Sequence, residues 1–272
     1  MENFFSIFLD RLVGSFVFDF SRYLFGAGGV FLIVWVLFKK PLQGRKIRKK
    51  TPTTRQMFRE FYHSMKTVLV YTVVGMATVY GVQAGVMVFY GDIAERGWLY
   101  YGFSLVTIII AHDAYFYWCH WLMHRPGMMK YIHAVHHKTL NPTPWAAYSF
   151  DIFEAAAHAA FVPLFLLVMP LHVSVIMIFL AHMIIRNAMG HSGYELFPRT
   201  WAAHPFWGFL TSVTHHDMHH ANGKYNMGLY FSWWDRIMGT EHPEYIARVT
   251  KIDGATRENY QTLKSGVGVA AE

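Results

Sequence analysis

Long blocks of uncharged residues, separated by short polar segments, organise the chain. Residues 23–38 and 67–90 carry no charged side chain, and residues 98–119 and 152–188 are nearly as apolar. A helix needs about 20 apolar residues to cross a bilayer. The pattern therefore predicts three membrane-spanning helices, followed by a hairpin of two shorter helices that is broken near Pro170.

Composition and charge support this interpretation. Only 15% of the residues are charged and 54% are hydrophobic, whereas soluble domains carry about a quarter charged residues. The net charge of +7 is concentrated between Lys39 and Lys50, directly after an apolar block. Such placement is typical of a cytoplasmic membrane flank, and no nucleic-acid partner is expected. We predict a multi-pass integral membrane protein with this basic loop in the cytoplasm.

The predicted topology also places the histidine-rich segments. Three crossings and a hairpin that enters and leaves from one side return His120, His191 and residues 215–220 to the cytoplasmic face. This placement of all three segments on the same side of the membrane follows from apolar lengths and loop charge alone. The segments are therefore expected to meet at one end of the bundle.

Histidine spacing is the strongest chemical signal in the chain. An H-x-x-x-H box is followed by two copies of H-x-x-H-H, and His191 stands alone in the segment NAMGHSGYE between the two copies. A pH sensor would not need such repeated spacing, and a single cysteine, Cys119, excludes thiolate zinc sites. Nine imidazoles are too many for one ion and suit two. The candidate ligands are His120, His124, His133, His136, His137, His191, His216, His219 and His220.

The ligand type narrows the choice of metal. Imidazole suits iron, zinc, copper and nickel. A pair of irons held only by imidazoles would be strongly cationic and would favour dioxygen chemistry, whereas zinc has no redox chemistry of its own. We therefore expect two iron ions with dioxygen as co-substrate, and zinc as a substitute in purified protein.

The three boxes resemble those of the membrane fatty acid hydroxylase and sterol desaturase superfamily. HKTLNPTPWAAYSFD at 137–151 and HHDMHHANGKYNMGLYFSWWDRIMGT at 215–240 are similar to segments of sterol C-5 desaturases and C-4 methylsterol oxidases. The resemblance implies an all-α integral membrane fold, with about four to five membrane-embedded helices and a cytosolic helical cap holding a histidine-rich dinuclear metal site. It also implies that the nine histidines are ligands and that a separate electron-transfer protein supplies electrons.

Three regions follow from this resemblance. Residues 1–97 are expected to form N-terminal membrane helices and the basic loop, residues 98–245 the catalytic region, and residues 246–272 a cytosolic tail. The predicted function is oxygen-dependent hydroxylation or desaturation of a sterol or related lipid. The alternatives are a hydroxylase or monooxygenase of an alkyl-glycerol, sphingoid or fatty acyl lipid, and a metal-binding transporter or sensor. Transport would require ionisable residues along the spans, and here they concentrate at one face.

Other residues are candidates for supporting roles. They fall into two sets: further ligands or groups that orient a ligand, and contacts to the lipid substrate. For the tryptophan and the tyrosine, an aromatic belt is the favoured interpretation. The first set is Asn187, His215, Asp113 and His112, and the second is Trp145, Tyr148 and His182.

Overall fold

The computed structural model describes residues 4–251, and this part of the chain is mostly helical. Its α-helices are α1 (Phe4–Tyr23), α2 (Gly29–Phe31), α3 (Thr54–Gln83), α4 (Gly97–Met123), α5 (Met129–Ile132), α6 (Ala134–His137), α7 (Ile152–Leu166), α8 (Val173–Gly190), α9 (Val213–Ala221), α10 (Trp233–Met238) and α11 (Tyr245–Lys251). Two π-helical stretches, Leu24–Gly28 and Leu32–Leu37, flank α2. Short 3-10 turns occupy Gln43–Arg45, Ile93–Glu95 and Pro144–Tyr148, and the strands are β1 (Phe89–Tyr90) and β2 (Leu171–His172).

Four helices in the described part of the chain are long and apolar enough to cross a membrane: Ser6–Leu37, Thr54–Gln83, Gly97–Met123 and Val173–Gly190. The helix α7 is also apolar but shorter. The predicted architecture of four to five membrane-embedded helices is therefore confirmed, and the chain is an integral membrane protein. The boundaries were less well predicted.

Two spans begin earlier than their uncharged blocks suggest. The first helix starts before Tyr23, because α1 continues through both π-helical stretches without a break. The helix α3 starts at Thr54, where the Thr53 hydroxyl accepts a hydrogen bond from the backbone N–H of Gln56. Such a cap satisfies a backbone donor at a helix start. Because α3 begins at this cap, the partly charged segment from Thr54 to Lys66 belongs to the helix and extends it beyond its apolar part.

The hairpin predicted over 152–188 consists of α7 and α8, with the break at residues 167–172 that includes Pro170. In this connection β2 pairs in parallel with β1, a contact that the hydrophobic pattern did not predict. These strands lie at the start of α8, opposite the end that carries His191. At 1.5 Å per residue, an 18-residue helix separates its two ends by about 27 Å.

The first helix packs closely against α8 at a glycine. A Cβ built on Gly26 would lie 2.5 Å from Cγ1 of Ile184, so no larger residue fits there without movement. Tyr23, in the preceding turn, donates a hydrogen bond from its hydroxyl to the carbonyl of Trp145 at 2.9 Å. These contacts fix the first helix against the segment that follows the second histidine box and against α8, which ends directly before His191.

The basic loop packs against the cap that carries the histidines. The backbone N–H of Ile47 donates to the carbonyl of Gly193 at 3.1 Å, and Arg48 pairs with Asp217 at 2.6 Å. The loop and the histidine segments therefore lie at the same end of the bundle, as the topology prediction requires.

Packing continues past residue 245, where a tail was expected. Helix α11 buries Tyr245 and Val249 against Ala202 and Met218, so the folded region extends at least to Lys251. The rest of the expected tail, residues 252–272, lies outside the described residues.

Candidate metal centre

All nine histidines of the predicted set meet at one end of the bundle, in two groups. Within each group the candidate ligand atoms lie within 4.8 Å of one another. The first group contains His120, His124, His133, His137 and His219, and the second contains His136, His191, His216 and His220. Each H-x-x-H-H box contributes histidines to both groups, because its two adjacent histidines belong to different groups.

Secondary structure sets this division. His120 projects from the last turn of α4 and His124 follows the helix end, one turn later. Helix α6, with His133 directly before it, carries the first H-x-x-H-H box, and α9 carries the second. His191 follows the end of α8. In each box the two histidines four residues apart share a helix face and a group, as His216 and His220 do, whereas adjacent residues such as His219 and His220 diverge. Two short helices can therefore serve two neighbouring centres.

In the first group the imidazoles face one another through Nε2 atoms. His120 and His133 are separated by 3.1 Å, and His137 and His219 by 3.0 Å, in each case between Nε2 atoms. The outer ring nitrogens of His120 and His219 have backbone partners. Nδ1 of His120 lies 2.8 Å from the carbonyl oxygen of Met227, and Nδ1 of His219 lies 2.8 Å from that of Tyr225. A carbonyl accepts only, so both rings carry their proton on Nδ1 and turn a lone pair inward.

The second group is fully buried and centres on His191. Its Nε2 lies 2.9 Å from that of His216, 3.3 Å from that of His136 and 3.4 Å from that of His220. Its Nδ1 donates to the backbone carbonyl of Asn187 at 2.8 Å. The inward nitrogen of His191 is therefore an acceptor that faces three further ring nitrogens.

This arrangement fits bound metal ions. Hydrogen bonds can place at most one proton between any two imidazole nitrogens, and His191 has no proton to give from Nε2. The remaining lone pairs would repel one another across a few ångströms in a buried site. A cation between the rings removes that repulsion, and imidazole nitrogen is a ligand for iron, zinc, copper and nickel.

The protonation states agree with metal binding. Burial, with a smaller contribution from neighbouring imidazoles, lowers the pKa of His124 and of His137 to about 3. Burial also lowers the pKa of His191 to about 4. These rings are neutral at neutral pH, and neutral imidazole is the form that binds a metal.

A profile of the fatty acid hydroxylase family matches residues 105–240, which is half of the chain. The chain belongs to the fatty acid hydroxylase family. The matched segment contains every histidine of both groups, and the resemblance inferred from the three boxes is confirmed.

Curated relatives carry more specific names. A Delta(7)-sterol 5(6)-desaturase of Gibberella zeae is 30% identical over 160 residues, covering 59% of this chain and 48% of that protein. Lathosterol oxidase of Rattus norvegicus is 30% identical over 157 residues, covering 57% and 51%. Cholesterol 25-hydroxylase of Rattus norvegicus is 31% identical over 140 residues, covering 50% and 45%. The chain spans about half the length of these relatives, and no solved structure matches it.

Two of the further candidates in this hydroxylase-family chain do not point into either group. The side-chain amide of Asn187 donates to the carbonyl of Ala147 at 2.6 Å, so only its backbone carbonyl serves His191. The ring of His215 turns away to Asp235, with 3.2 Å between Nε2 and the carboxylate. The structure therefore favours an orienting role for Asn187 and a structural one for His215.

Asp113 and His112 lie deeper, on α4. The carboxylate of Asp113 accepts hydrogen bonds from the backbone N–H groups of Tyr230 and Phe231 and from the indole of Trp233, at 2.8–3.1 Å. It fixes the loop before α10 and contacts no ligand ring. His112 packs edge-on against Phe161 with 4.7 Å between ring centroids, and it lines a membrane cavity.

Sequence reasoning missed one acidic residue of the site. Glu154, buried on α7, places Oε1 2.7 Å from Nδ1 of His133 and 3.8 Å from Nε2 of His158. A carboxylate in this position orients a ligand imidazole and raises its basicity. The available signal was that Glu154 is the sole acidic residue of an otherwise apolar helix, since ionisable groups in such helices are functional candidates.

An apolar cavity of about 540 Å³ lies between the first helix and α3, α7 and α8. His112 and His158 close its inner end, next to the metal centre. None of the three predicted substrate contacts lines this cavity. Trp145 and Tyr148 pack on Tyr23 in the core, and His182 packs on the ring of Tyr230 with 4.5 Å between centroids.

Proposed function

We propose that the protein is an integral-membrane, di-iron, dioxygen-dependent oxidoreductase that hydroxylates or desaturates a sterol or related lipid. The position of two adjacent all-imidazole groups at the inner end of an apolar membrane cavity carries this proposal. Membership of the fatty acid hydroxylase family supports the reaction class. The names of the relatives, all of which refer to sterol chemistry, support the substrate class.

The nine histidines are assigned as ligands, five to one iron and four to the other. When bound, two irons would supply the reductive activation of dioxygen that attack on an unactivated C–H bond requires, which zinc alone would not. The protein holds the rings neutral and fixes their direction through the carbonyls of Met227, Tyr225 and Asn187.

The cavity provides the lipid site. Its walls are formed mainly by aliphatic and aromatic side chains, including Phe161, Phe179 and Leu180, and an apolar cavity of this size suits one lipid molecule. Phe116 and Phe150 separate its inner end from the ligand rings. Phe116 lies 5.1 Å from His120 and Phe150 lies 5.3 Å from His136, between ring centroids. Both phenylalanine rings also contact His158, which lines the cavity, so one layer of side chains separates this part of the cavity wall from the ligand rings.

We place the metal end of the bundle in the cytoplasm, where the basic loop is expected. A surface groove next to this loop is lined by five basic residues: Arg48, Lys50, Arg55, Arg59 and Lys138. Lys138 directly follows His137, so an acidic electron-transfer protein bound there would lie close to the first group. Attraction of this kind weakens with salt. If reduction by an acidic carrier is unaffected by both salt and Arg59→Glu, this groove is not the docking site.

Replacement of one ligand tests the central assignment. His136→Ala should abolish turnover and lower the metal content of the purified protein, while membrane insertion is unchanged. The matched control is His204→Ala, because His204 is exposed in the same cap and belongs to neither group. Metal analysis and oxygen consumption are measured on both variants. Full activity of His136→Ala would exclude the assignment.

The substrate class is tested separately. The purified protein, supplied with reductant and oxygen, is incubated with a membrane lipid extract, and products are identified by mass spectrometry. An oxidised sterol supports the proposal. An oxidised alkyl-glycerol, sphingoid or fatty acyl product would keep the chemistry and replace the substrate.

A further inference from the structure

The cavity is elongated, and its two ends differ in polarity. The face of α1 that lines it runs from Arg11 to Arg22, which is roughly 16 Å along a helix at 1.5 Å per residue. Arg11 is at the outer end, where its guanidinium donates to Gln83 at 2.7 Å in an exposed contact. Arg22 is at the other end, close to the metal centre.

A chain of aromatic contacts fixes the direction. The guanidinium of Arg22 lies 5.7 Å from the ring of Tyr148, and that ring lies 6.2 Å from Phe150. Phe150 in turn contacts the ring of His136. Arg22 is therefore separated from a candidate ligand by two aromatic side chains, whereas Arg11 lies near the opposite membrane surface.

The inner end holds a buried ion pair. Arg22 and Asp19 are joined at 2.6 Å, with side-chain exposures of 9% and 7%, and both line the cavity. The pair uses one nitrogen of the guanidinium, and Nε and Nη1 of Arg22 are buried without a hydrogen-bond partner among the described residues. Unpaired buried donors are destabilising, and an ion pair inside a membrane helix marks function by default.

The charge balance selects the kind of group that this pair would bind. The carboxylate of Asp19 neutralises the guanidinium, so a carboxylate or phosphate would meet no net positive charge there. An alcohol suits the pair better, because its oxygen accepts from the guanidinium while its proton is donated to a carboxylate oxygen. Only Oδ1 of Asp19 is bound to Arg22.

We propose that Asp19 and Arg22 bind the hydroxyl of an alcohol-bearing lipid, so that the protein oxidises carbons near that hydroxyl and not the far end of the hydrocarbon. The part of this inference that concerns oxidation rests on the proposed function. The part that concerns binding of the hydroxyl rests on the cavity alone. A sterol, whose hydroxyl and alkyl chain lie at opposite ends, would enter with its hydroxyl inward and its alkyl chain towards Arg11.

Binding of two matched probes tests the hydroxyl site without requiring turnover. Detergent-purified wild-type protein should bind cholestanol at least about tenfold more tightly than cholestane, which lacks the hydroxyl, since a hydrogen bond to a charged group is worth about 1.5–3 kcal/mol. If wild-type protein binds cholestanol and cholestane with equal affinity, the proposal is overturned without reference to any variant. Displacement of cholestanol by palmitate at comparable concentration would overturn the choice of an alcohol.

Variants locate the effect. Replacing the pair together, Asp19→Leu with Arg22→Met, removes both charges. The double variant should bind cholestanol more weakly and cholestane as before, so that the preference for cholestanol is lost. Arg11→Met, at the outer end, should leave the preference unchanged. Loss of the preference in Arg11→Met, or its survival in the double variant, would contradict the assignment.

The position of oxidation completes the test. Products formed from cholestanol should carry the new oxygen or double bond in the ring system close to the hydroxyl. Oxidation of the terminal alkyl carbons would overturn the proposed orientation. If cholestanol binds with the expected preference but no lipid is oxidised, the proposed function fails and the hydroxyl site stands.

Discussion

The two histidine groups differ in how firmly their rings are held. In the first group, Nδ1 of His120 and Nδ1 of His219 each donate to a backbone carbonyl. Nδ1 of His133 lies 2.7 Å from Oε1 of Glu154, a close contact that lacks hydrogen-bond geometry. In the second group, His191 has a carbonyl acceptor at Nδ1, whereas Nδ1 of His136 and of His220 are buried without a hydrogen-bond partner in the described part of the chain.

This difference suggests unequal metal affinities. Acceptors at the outer nitrogen fix the tautomer and direction of a ligand ring, and their loss typically costs 10–100-fold in affinity. The first group has more rings and more of these acceptors. We therefore expect it to bind its metal more tightly and to keep a metal when one ligand is lost, unlike the second group.

Removing one ring from each group gives the largest expected effect. His191→Ala leaves three imidazoles in the second group and should lower the metal content from about two ions per chain to about one, with loss of turnover. His124→Ala leaves four rings in the first group, as many as the second has when intact, and should retain close to two. Metal analysis of both purified variants measures this. Equal losses would remove the distinction between the groups.

Glu154→Gln tests the carboxylate support in the first group alone. The amide keeps the shape and an acceptor oxygen near His133 but removes the negative charge, so affinity for one of two metals should fall by about 10–100-fold. Competition with a chromogenic chelator measures the two affinities separately. Glu244→Gln is the control, because Glu244 is exposed in the cap. A weakened second group with an intact first group would contradict the assignment of Glu154.

The histidine groups could be predicted from sequence because their spacing is local. An H-x-x-H-H box on a short helix must direct its adjacent histidines to different sides, and apolar lengths alone returned His191 to the same face. Helix boundaries were harder to predict, because caps such as Thr53 decide them, and a cap does not depend on average hydropathy.

Supporting residues could not be predicted with the same success, because their partners are distant in the chain. Asp113 is a candidate for orienting a ligand ring, yet its carboxylate accepts hydrogen bonds from backbone N–H groups more than a hundred residues away in the chain. Trp145 and Tyr148 are likewise candidates for substrate contact because they follow the second box, but both pack in the core. Only the packing of the first helix brings Asp19 and Arg22 to the inner end of the cavity.

The smallest expected effect concerns the loop that supports the first group. Asp235 accepts hydrogen bonds from the backbone N–H groups of Met227 and Gly228, at 2.8 and 2.9 Å, and the carbonyl of Met227 accepts from His120. Asp235→Asn places an amide NH₂ against one of these donors. The substitution should lower the free energy of unfolding by about 1–3 kcal/mol. We expect it to lower the metal affinity of the first group only a few-fold, because it acts on the ligand through the backbone.

Asp113→Asn is the matched comparison, because Asp113 holds the neighbouring loop in the same way but supports no carbonyl that contacts a ligand ring. Both variants should lower the melting temperature, and only Asp235→Asn should change metal affinity. If the two variants weaken the metal equally, the carbonyl of Met227 does not orient His120. The firmer hold of the first group would then depend on Glu154 and on the carbonyl of Tyr225.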